Sequence, residues 1–382
     1  MATRLMVSDD LALESQDGSH VVVVNTASAA RMKLSFSAYR FLKSFENPRR
    51  VDEVVSASVA TSDMPQVQML VDKGMLVDAE APSPGNQSRL RTAVAYKFCG
   101  VPAFSRAAAP DFVILGVPYD LAGGIDCRLA PDLIRRKSLD YSYQLEVGDG
   151  RPRGWFDVNR GAWILRGATL ADAGDVPREY GEGRERFLER VRRALAQCCT
   201  GRTVPVAFGG DLSVTAAVIG GLDHDRTMTV VQITPEPEHG TAQGAGRRLL
   251  QMRGVERVIS VGAVDDEAGT PRGDELRLVS AARLRQYGPE AIVREWGEEL
   301  SIYLSIDLGI AADAYMKAAA PGLPLGPTLH EIKALIRAIG MAHRIVGIDL
   351  AGLDLRSGRP ELTVVVGCQL ALAAMSAAYD RV

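Results

Sequence analysis

The first 80 residues contain short segments in which apolar and polar positions alternate, a pattern typical of half-buried strands. Three strand-like segments share this alternation: Leu11 to Glu14, Val21 to Val24, and Arg31 to Leu34. Asp17-Gly18 separates the first two and is a signal for a tight hairpin turn. Three helical segments follow: one capped by Ser35, Asp52 to Ala60, and Pro65 to Lys73. This order predicts a small winged-helix domain of three strands and three helices.

The rest of the chain alternates longer apolar runs with helical stretches. The apolar runs lie at Phe112 to Leu115, Val204 to Phe208, Thr229 to Ile233, Val258 to Val261, Ile302 to Ile306, and Ile345 to Leu350. Strands that alternate with helices predict an α/β domain whose parallel sheet is covered by helices on both faces. In such sheets ligands bind at the carboxyl ends of the strands, so the residues that follow these runs are candidate site residues.

A linker is predicted at residues 81–90, because Ala81 to Ser88 contains two prolines, a glycine and small polar residues. The predicted domains are therefore residues 1–80 and residues 91–382. A chain of 382 residues, of which 47% are apolar, is long enough to form two hydrophobic cores.

Composition and charge exclude several classes of function. The net charge is -3 and no block of lysine or arginine is present, which argues against a dedicated nucleic-acid-binding protein. The first ten residues do not resemble a signal peptide, and no run is expected to span a membrane, so a cytoplasmic protein without a membrane partner is predicted. The five cysteines form no CxxC pair, which predicts neither a zinc site nor disulfides.

Several motifs of the second domain resemble those of the ureohydrolase superfamily, which includes the arginases and agmatinases. They are Leu115 to Asp120, Arg128 to Pro131 together with Arg135, and Asp172 to Val176. The resemblance implies an arginase-like three-layer α/β/α fold with a parallel sheet. It also implies a site in which histidine and carboxylate side chains hold two manganese ions, and a bridging hydroxide attacks a guanidinium carbon.

The ligand positions implied by this resemblance are mostly occupied by other residues. The expected histidine after Gly209-Gly210-Asp211 is Leu212, and the expected second carboxylate after Asp307 is Gly309. In the segment between them, Thr234 replaces an aspartate, Glu236 replaces a histidine, and Glu238 keeps a carboxylate; Gly352 stands where a substrate-binding glutamate is expected. We therefore expect no catalytic residue, no bound metal and no cofactor, which predicts a pseudoenzyme rather than an enzyme.

Two other interpretations of the carboxylates remain open at this point. Asp211, Glu236, Glu238 and Asp307 can form an all-oxygen site for magnesium or calcium, which prefer oxygen ligands. Alternatively, Asp211 and Asp307 only accept backbone hydrogen bonds at strand-to-helix turns. We further expect the cleft formed by these residues and His239 to bind part of a peptide, because a carboxylate-lined pocket attracts cationic and hydrogen-bond-donating side chains.

The first domain resembles the precursor-peptide recognition domains of pathways that make ribosomally synthesised, modified peptides, although a generic winged helix has the same pattern. The resemblance implies that an extended leader peptide pairs with the edge of the third strand. The implied peptide-binding residues are Ala30, Arg31, Met32, Lys33 and Leu34 on the strand, with Met64, Val67, Leu70 and Val71 lining a groove or the small core.

Three functions follow from these features. The main hypothesis is a non-catalytic protein that captures a ribosomally made precursor peptide for modifying enzymes of the same pathway. The alternative is a peptide-modifying amidinohydrolase that converts peptidyl arginine to ornithine with an unconventional metal site. A third is a structural or regulatory subunit whose first domain binds another protein. The sequence leaves self-association into a homo-oligomer open.

Overall fold

The computed structural model divides the chain into two compact units. Residues 1–91 with 177–190 form the first unit, and residues 92–176 with 191–382 form the second. The structure describes the following residues: 4–8, 11–25, 30–46, 49–55, 64–79, 90–105, 109–119, 127–148, 151–158, 160–178, 182–199, 201–222, 227–235, 245–263, 274–310, 326–353, 355 and 360–380. The predicted linker lies outside this part of the chain, except for Leu90.

Among the described residues, the first unit contains two small antiparallel sheets, three helices and the first residues of a fourth helix, Arg184–Cys198. One sheet has the order β2-β3-β4, formed by Leu11–Gln16, His20–Asn25 and Ala30–Ser35, and the second has the order β5-β1-β6, formed by Arg49–Arg50, Arg4–Val7 and Leu76–Asp78. The helices are α1 (Phe36–Lys43), α2 (Val51–Val55) and α3 (Met64–Asp72). A small antiparallel-sheet region therefore precedes the larger domain, as predicted.

The predicted strands of this unit agree with β2, β3 and β4, and Ser35 caps α1 because its side chain accepts a hydrogen bond from the Ala38 amide. The second sheet was not predicted. Its strands have only two to four residues, so they are too short to show an alternating pattern. Of the predicted second helix, residues 56–60 lie outside the described part.

The second unit is built on a parallel sheet of eight strands in the order β11-β7-β12-β17-β16-β13-β14-β15. In chain order these strands are β7 (Phe112–Gly116), β11 (Leu170–Asp175), β12 (Val204–Phe208), β13 (Met228–Ile233), β14 (Val255–Ala263), β15 (Leu276–Ser280), β16 (Ser301–Asp307) and β17 (Arg344–Ala351). The six predicted apolar runs are all strands of this sheet, which confirms the α/β prediction. A smaller antiparallel sheet consists of β8 (Leu145–Gly148), β9 (Arg151–Asp157) and β10 (Ala162–Ile164).

Helices alternate with the strands of the large sheet. They are α4 (Ala130–Ser138), α5 (Arg184–Cys198), α6 (Ser213–Gly220), α7 (Ala245–Leu250), α8 (Ala281–Tyr287), α9 (Pro289–Arg294), α10 (Leu329–Ala342) and α11 (Pro360–Tyr379). The last, α11, is long and apolar enough to cross a membrane by length and composition, contrary to the sequence-based expectation. It is apolar on all sides because it packs between α4, α10 and β17, and 61% of its apolar window is buried.

A buried ion-pair network joins α4 to the edge of the large sheet. Arg135 on α4 is 1% exposed and donates to both carboxylate oxygens of Asp172, at 2.8 Å from Nε and 3.1 Å from Nη2. It also contacts the Asp175 carboxylate and the Gly174 carbonyl. Burial raises the pKa of Asp175, and the positive charge of Arg135 opposes this shift. This network fixes the loop that ends β11.

Candidate functional site

Four neighbouring strands of the large sheet, β12, β17, β16 and β13, end at one place. The backbone joins their ends: the Gly209 amide donates to Leu350, the Gly352 amide donates to Gly210, and the Leu308 amide donates to Ala351. Because the strands are parallel, the residues that follow them share the carboxyl edge of the sheet. This edge is the candidate functional site.

Asp307 lies at the centre of this edge. Its side chain is 9% exposed. Oδ2 accepts a hydrogen bond from the Thr234 hydroxyl at 3.0 Å, and Oδ1 accepts one from the Gly309 amide at 2.8 Å. Thr234, Asp307 and Gly309, which the sequence placed at one edge, are therefore in direct contact, because the first and the last donate hydrogen bonds to the carboxylate of Asp307.

Glycine at two positions lets the backbone come close to this carboxylate. A β-carbon at Gly352 would lie 2.5 Å from Asp307 Oδ1, while the third-nearest atom, Cδ2 of Leu212, would be 3.9 Å away. A β-carbon at Gly309 would lie 3.0 Å from the same oxygen. Leu212 itself is 37% exposed, so an apolar side chain is accessible at this edge. The Asp307 carboxylate thus lies against glycine backbone at two positions, and a Cβ at one of them would be 3.9 Å from the Leu212 side chain.

Asp211 has a structural contact at the start of α6. Its Oδ1 accepts a hydrogen bond from the Ser213 amide at 2.9 Å and another from the Ser213 hydroxyl. These bonds satisfy donors at the helix start, as an N-terminal capping residue does. Glu236, Glu238 and His239 lie outside the described residues, so the predicted peptide-binding cleft and all-carboxylate site stay predictions.

A buried polar network lies beneath Asp307 on the same face of the sheet. Asp349 of β17 is fully buried and accepts hydrogen bonds from three hydroxyl groups: Tyr303 at 2.6 Å, Ser305 at 3.0 Å and Thr215 at 3.3 Å. Burial raises the pKa of Asp349 to about 6; the hydroxyl hydrogen bonds oppose this shift, and the charge of Asp307 adds to it. This network was not predicted, although Tyr303, Ser305 and Asp307 alternate with apolar residues along the strand.

The buried carboxyl of Asp349 predicts a pH dependence of folding. Its pKa is about 6 in the folded protein, compared with 3.8 for an ordinary aspartate, so the folded state holds the proton more tightly. Stability should fall by about 3 kcal/mol as the pH rises from about 4 to about 7. In Asp349→Asn, the free energy of unfolding, obtained from urea unfolding curves at each pH, should lack this fall. The same pH dependence of unfolding free energy in both proteins would contradict the prediction.

The described residues do not fit the two-manganese centre that the sequence resemblance implies. Leu212 and Gly309 supply no ligand atom, and the Thr234 hydroxyl donates to Asp307. In the described part of the chain, no group of three or more His, Cys, Asp or Glu side chains is placed to hold a metal ion. A conventional binuclear site therefore cannot be assembled from these positions.

The residues predicted to bind a peptide lie in the first unit. On β4, Arg31 and Lys33 are exposed, Ala30 and Met32 are half-buried, and Leu34 is buried. Strand β4 has β3 as its one neighbour among the described strands, so it lies at the edge of its sheet. In α3, Val67 and Leu70 belong to the small core and Val71 packs against it; Met64 is the first residue of this helix.

Comparison with known proteins agrees with this architecture. The model of the family described as "Arginase family" matches residues 110–377. The chain belongs to the arginase family. An agmatinase of Neisseria meningitidis is 23% identical over 277 residues, covering 69% of this chain and 85% of the relative. Proclavaminate amidinohydrolase of Streptomyces clavuligerus is 23% identical over 295 residues, covering 69% of this chain and 88% of the relative.

Among solved structures, a hypothetical agmatinase from Burkholderia thailandensis superposes with a TM-score of 0.59 at 15% identity, covering 75% of this chain and 91% of that chain. This likeness shows the arginase-like fold. The prediction that the chain is not an enzyme is contradicted by its sequence relatives, which are named as an agmatinase and an amidinohydrolase. The prediction was wrong because it took the loss of conventional metal ligands as loss of activity.

Proposed function

We propose that this protein hydrolyses the guanidino group of an arginine side chain carried in a peptide, releasing urea and leaving ornithine. Water adds to the guanidinium carbon, the bond from that carbon to the substrate's Nε breaks, and this nitrogen takes up a proton as it leaves to become the side-chain amine of ornithine. Membership of a family whose named relatives include amidinohydrolases supports the reaction class. The conventional two-manganese set does not fit, so the site is of an unconventional kind.

One observation carries this proposal: the Asp307 carboxylate is held by two hydrogen-bond donors at the carboxyl edge of the sheet. A guanidinium group is planar and donates paired hydrogen bonds to a carboxylate, which makes Asp307 a suitable partner for it. The exposed side chain of Leu212 provides an apolar surface for the methylene groups of arginine. The fixed donors Thr234 and Gly309 hold the carboxylate in place.

The peptide nature of the substrate rests on the first unit. The edge strand β4 presents a row of backbone groups that an extended peptide can pair with. Free agmatine lacks such a backbone, so we expect a peptide that contains arginine to be the better substrate. We propose a precursor peptide as the partner, and further enzymes of its pathway as the proteins that modify it before or afterwards.

The test is urea release from the full chain, with ornithine formation followed by mass spectrometry. Agmatine, free arginine and arginine-containing peptides are compared after incubation with manganese, magnesium, calcium or a chelator. We expect urea and ornithine from a peptide under at least one of these conditions. Absence of both products from every substrate and every condition would overturn the proposed reaction.

A second measurement isolates the contribution of the peptide backbone. Proline in place of Met32 or Lys33 removes one backbone N–H of β4. The substitution at whichever of the two has its N–H directed away from β3 should weaken peptide binding about tenfold or more. Hydrolysis of agmatine, if detectable, should not change. Unchanged peptide affinity in both proline variants would place the peptide elsewhere while leaving the reaction itself untouched.

A further inference from the structure

A cavity of about 490 Å³ lies in the second unit, between α10, α11 and the small sheet. One side is α10, which contributes His330, Lys333 and Arg337; the other is α11, which contributes Ala373, Ser376 and Ala377, with Asp380 directly after its end. The hairpin of β9 and β10 closes the cavity with Asp157, Arg160 and Trp163. This volume is typical of sites for small molecules.

Small residues shape the floor of the cavity. A β-carbon at Gly340 would lie 2.1 Å from the Ala377 carbonyl oxygen, so α10 and α11 are in backbone contact at this point. Ala334, Ala373 and Ala377 line the adjoining groove, and their short side chains leave room between the helices. The groove is therefore open because of alanine and glycine positions on two fixed helices.

Two cationic side chains, Lys333 and Arg160, line the cavity. Nζ of Lys333 lies 3.9 Å from Oδ2 of Asp157, which is too long for a direct hydrogen bond, and the two side chains are 17% and 10% exposed. Burial lowers the pKa of Lys333; Asp157 opposes this shift, and the positive charge of Arg160 adds to it. An anion that contacts both Lys333 and Arg160 offsets the repulsion between their charges. It also replaces the hydration that burial removes from Lys333.

The carboxylates of the cavity do not cancel this positive charge. Asp380 is held by the Ser376 hydroxyl at 2.7 Å and by the Leu165 amide at 3.0 Å, and Arg160 donates to the same hydroxyl at 3.2 Å. Among the described lining residues, three side chains are cationic and two are carboxylates, and His330 adds a positive charge when protonated. Arg337 also pairs with Glu290, which lies outside the lining, so Arg160 and Lys333 are the main anion-binding groups.

An aromatic side chain lies beside these cations. Trp163 is 41% exposed, packs edge-on against Phe156 at a centroid distance of 5.5 Å, and has the Arg166 guanidinium 5.5 Å from its ring centroid. Its exposed surface and the alanine floor together form an apolar area. A ligand with a flat apolar part can therefore contact this area while its charge lies at Arg160 and Lys333.

We propose that this cavity is a second ligand site, which binds a small organic anion: a carboxylate or phosphate group contacts Arg160 and Lys333, and a flat apolar body lies between Trp163 and the alanines of α10 and α11. None of these residues belongs to the carboxyl edge of the sheet. The site is independent of the proposed reaction, so binding here and hydrolysis there can be tested separately.

The test measures tryptophan fluorescence of the full chain during titration. The chain has three tryptophans, of which Trp155 and Trp296 are buried, so quenching by a ligand reports mainly on Trp163. The probes are benzoate, phenyl phosphate and inorganic phosphate, with benzylamine as a cation of similar size. We expect saturable quenching by benzoate, phenyl phosphate or both, weaker binding of inorganic phosphate, and no saturable response to benzylamine. The comparison of the first two distinguishes a carboxylate site from a phosphate site.

Variants connect the signal to the cavity. Lys333→Met keeps the aliphatic side chain, removes the charge, and should weaken binding of the responding anion about tenfold or more. Lys137→Met is the matched control, because Lys137 pairs with Asp140 on the surface of α4 and should leave the affinity unchanged. Ala373→Leu fills the groove without changing charge and should reduce binding of benzoate and phenyl phosphate more than that of inorganic phosphate. Equal affinities in the original protein and in both cavity variants, or equal binding of benzylamine, would overturn the proposal.

Discussion

Replacement of Arg135 by methionine is expected to lower the free energy of unfolding by about 3 to 5 kcal/mol. The guanidinium is 1% exposed and donates to an Asp172 carboxylate that is 0% exposed. Methionine fills much of the same space but leaves that carboxylate buried without its cation. The network also holds the Gly174 carbonyl and Asp175, so the end of β11 should become less protected in hydrogen exchange.

Arg136 provides the matched control for this measurement. It follows Arg135 directly on α4, but its pair with Asp132 is exposed, with side chains 57% and 48% accessible. Such surface pairs contribute about 0 to 1 kcal/mol, so Arg136→Met should hardly change a urea unfolding curve. If both variants lost the same stability, the buried network would not be the feature that stabilises α4 against the sheet.

The strands of the large sheet could be predicted because they are buried on both faces and appear as continuous apolar runs. The small sheet of β8, β9 and β10 could not be predicted in this way. Its central strand contains Pro152 and Gly154, two residues that normally argue against a strand. The cavity beside this sheet depends on contacts between residues more than 200 positions apart, which no local pattern contains.

The candidate site was predicted in part. The motifs placed Leu212, Thr234, Asp307 and Gly309 at one edge of the sheet, and the structure brings them together. The motifs could not show that Asp307 is held by two donors and rests above a buried carboxyl at Asp349. These features depend on the register of β16 and β17, in which Ser305 lies opposite Asp349.

The erroneous prediction of a non-catalytic protein has a specific source. A comparison of ligand positions shows that the conventional manganese set is missing from the described residues, but it does not identify the reaction. The carboxyl edge still carries a fixed carboxylate at Asp307 and an exposed apolar side chain at Leu212. Relatives that are named as amidinohydrolases make guanidino chemistry the function to test at this edge.

Replacement of Asp307 by asparagine should reduce kcat/KM for the arginine-containing peptide by about a hundredfold or more, the scale of losing a charged group that acts on the reacting atoms. Asparagine keeps the shape of the side chain and one acceptor oxygen, but it cannot offer a paired, negatively charged partner to a guanidinium. Asp274→Asn is the control, because Asp274 is 91% exposed and pairs with Arg277 on the surface. Its activity should match that of the original protein.

The pH dependence of stability shows whether Asp307→Asn loses activity while it remains folded. The charge of Asp307 contributes to the raised pKa of Asp349, so its removal should shift the pH-dependent fall in stability to lower pH. A folded variant with this shift and with the hundredfold loss of activity would assign Asp307 a direct part in binding the guanidinium. Full activity in a folded Asp307→Asn variant would exclude that part, and the reacting group would then have to lie at another position of the sheet edge.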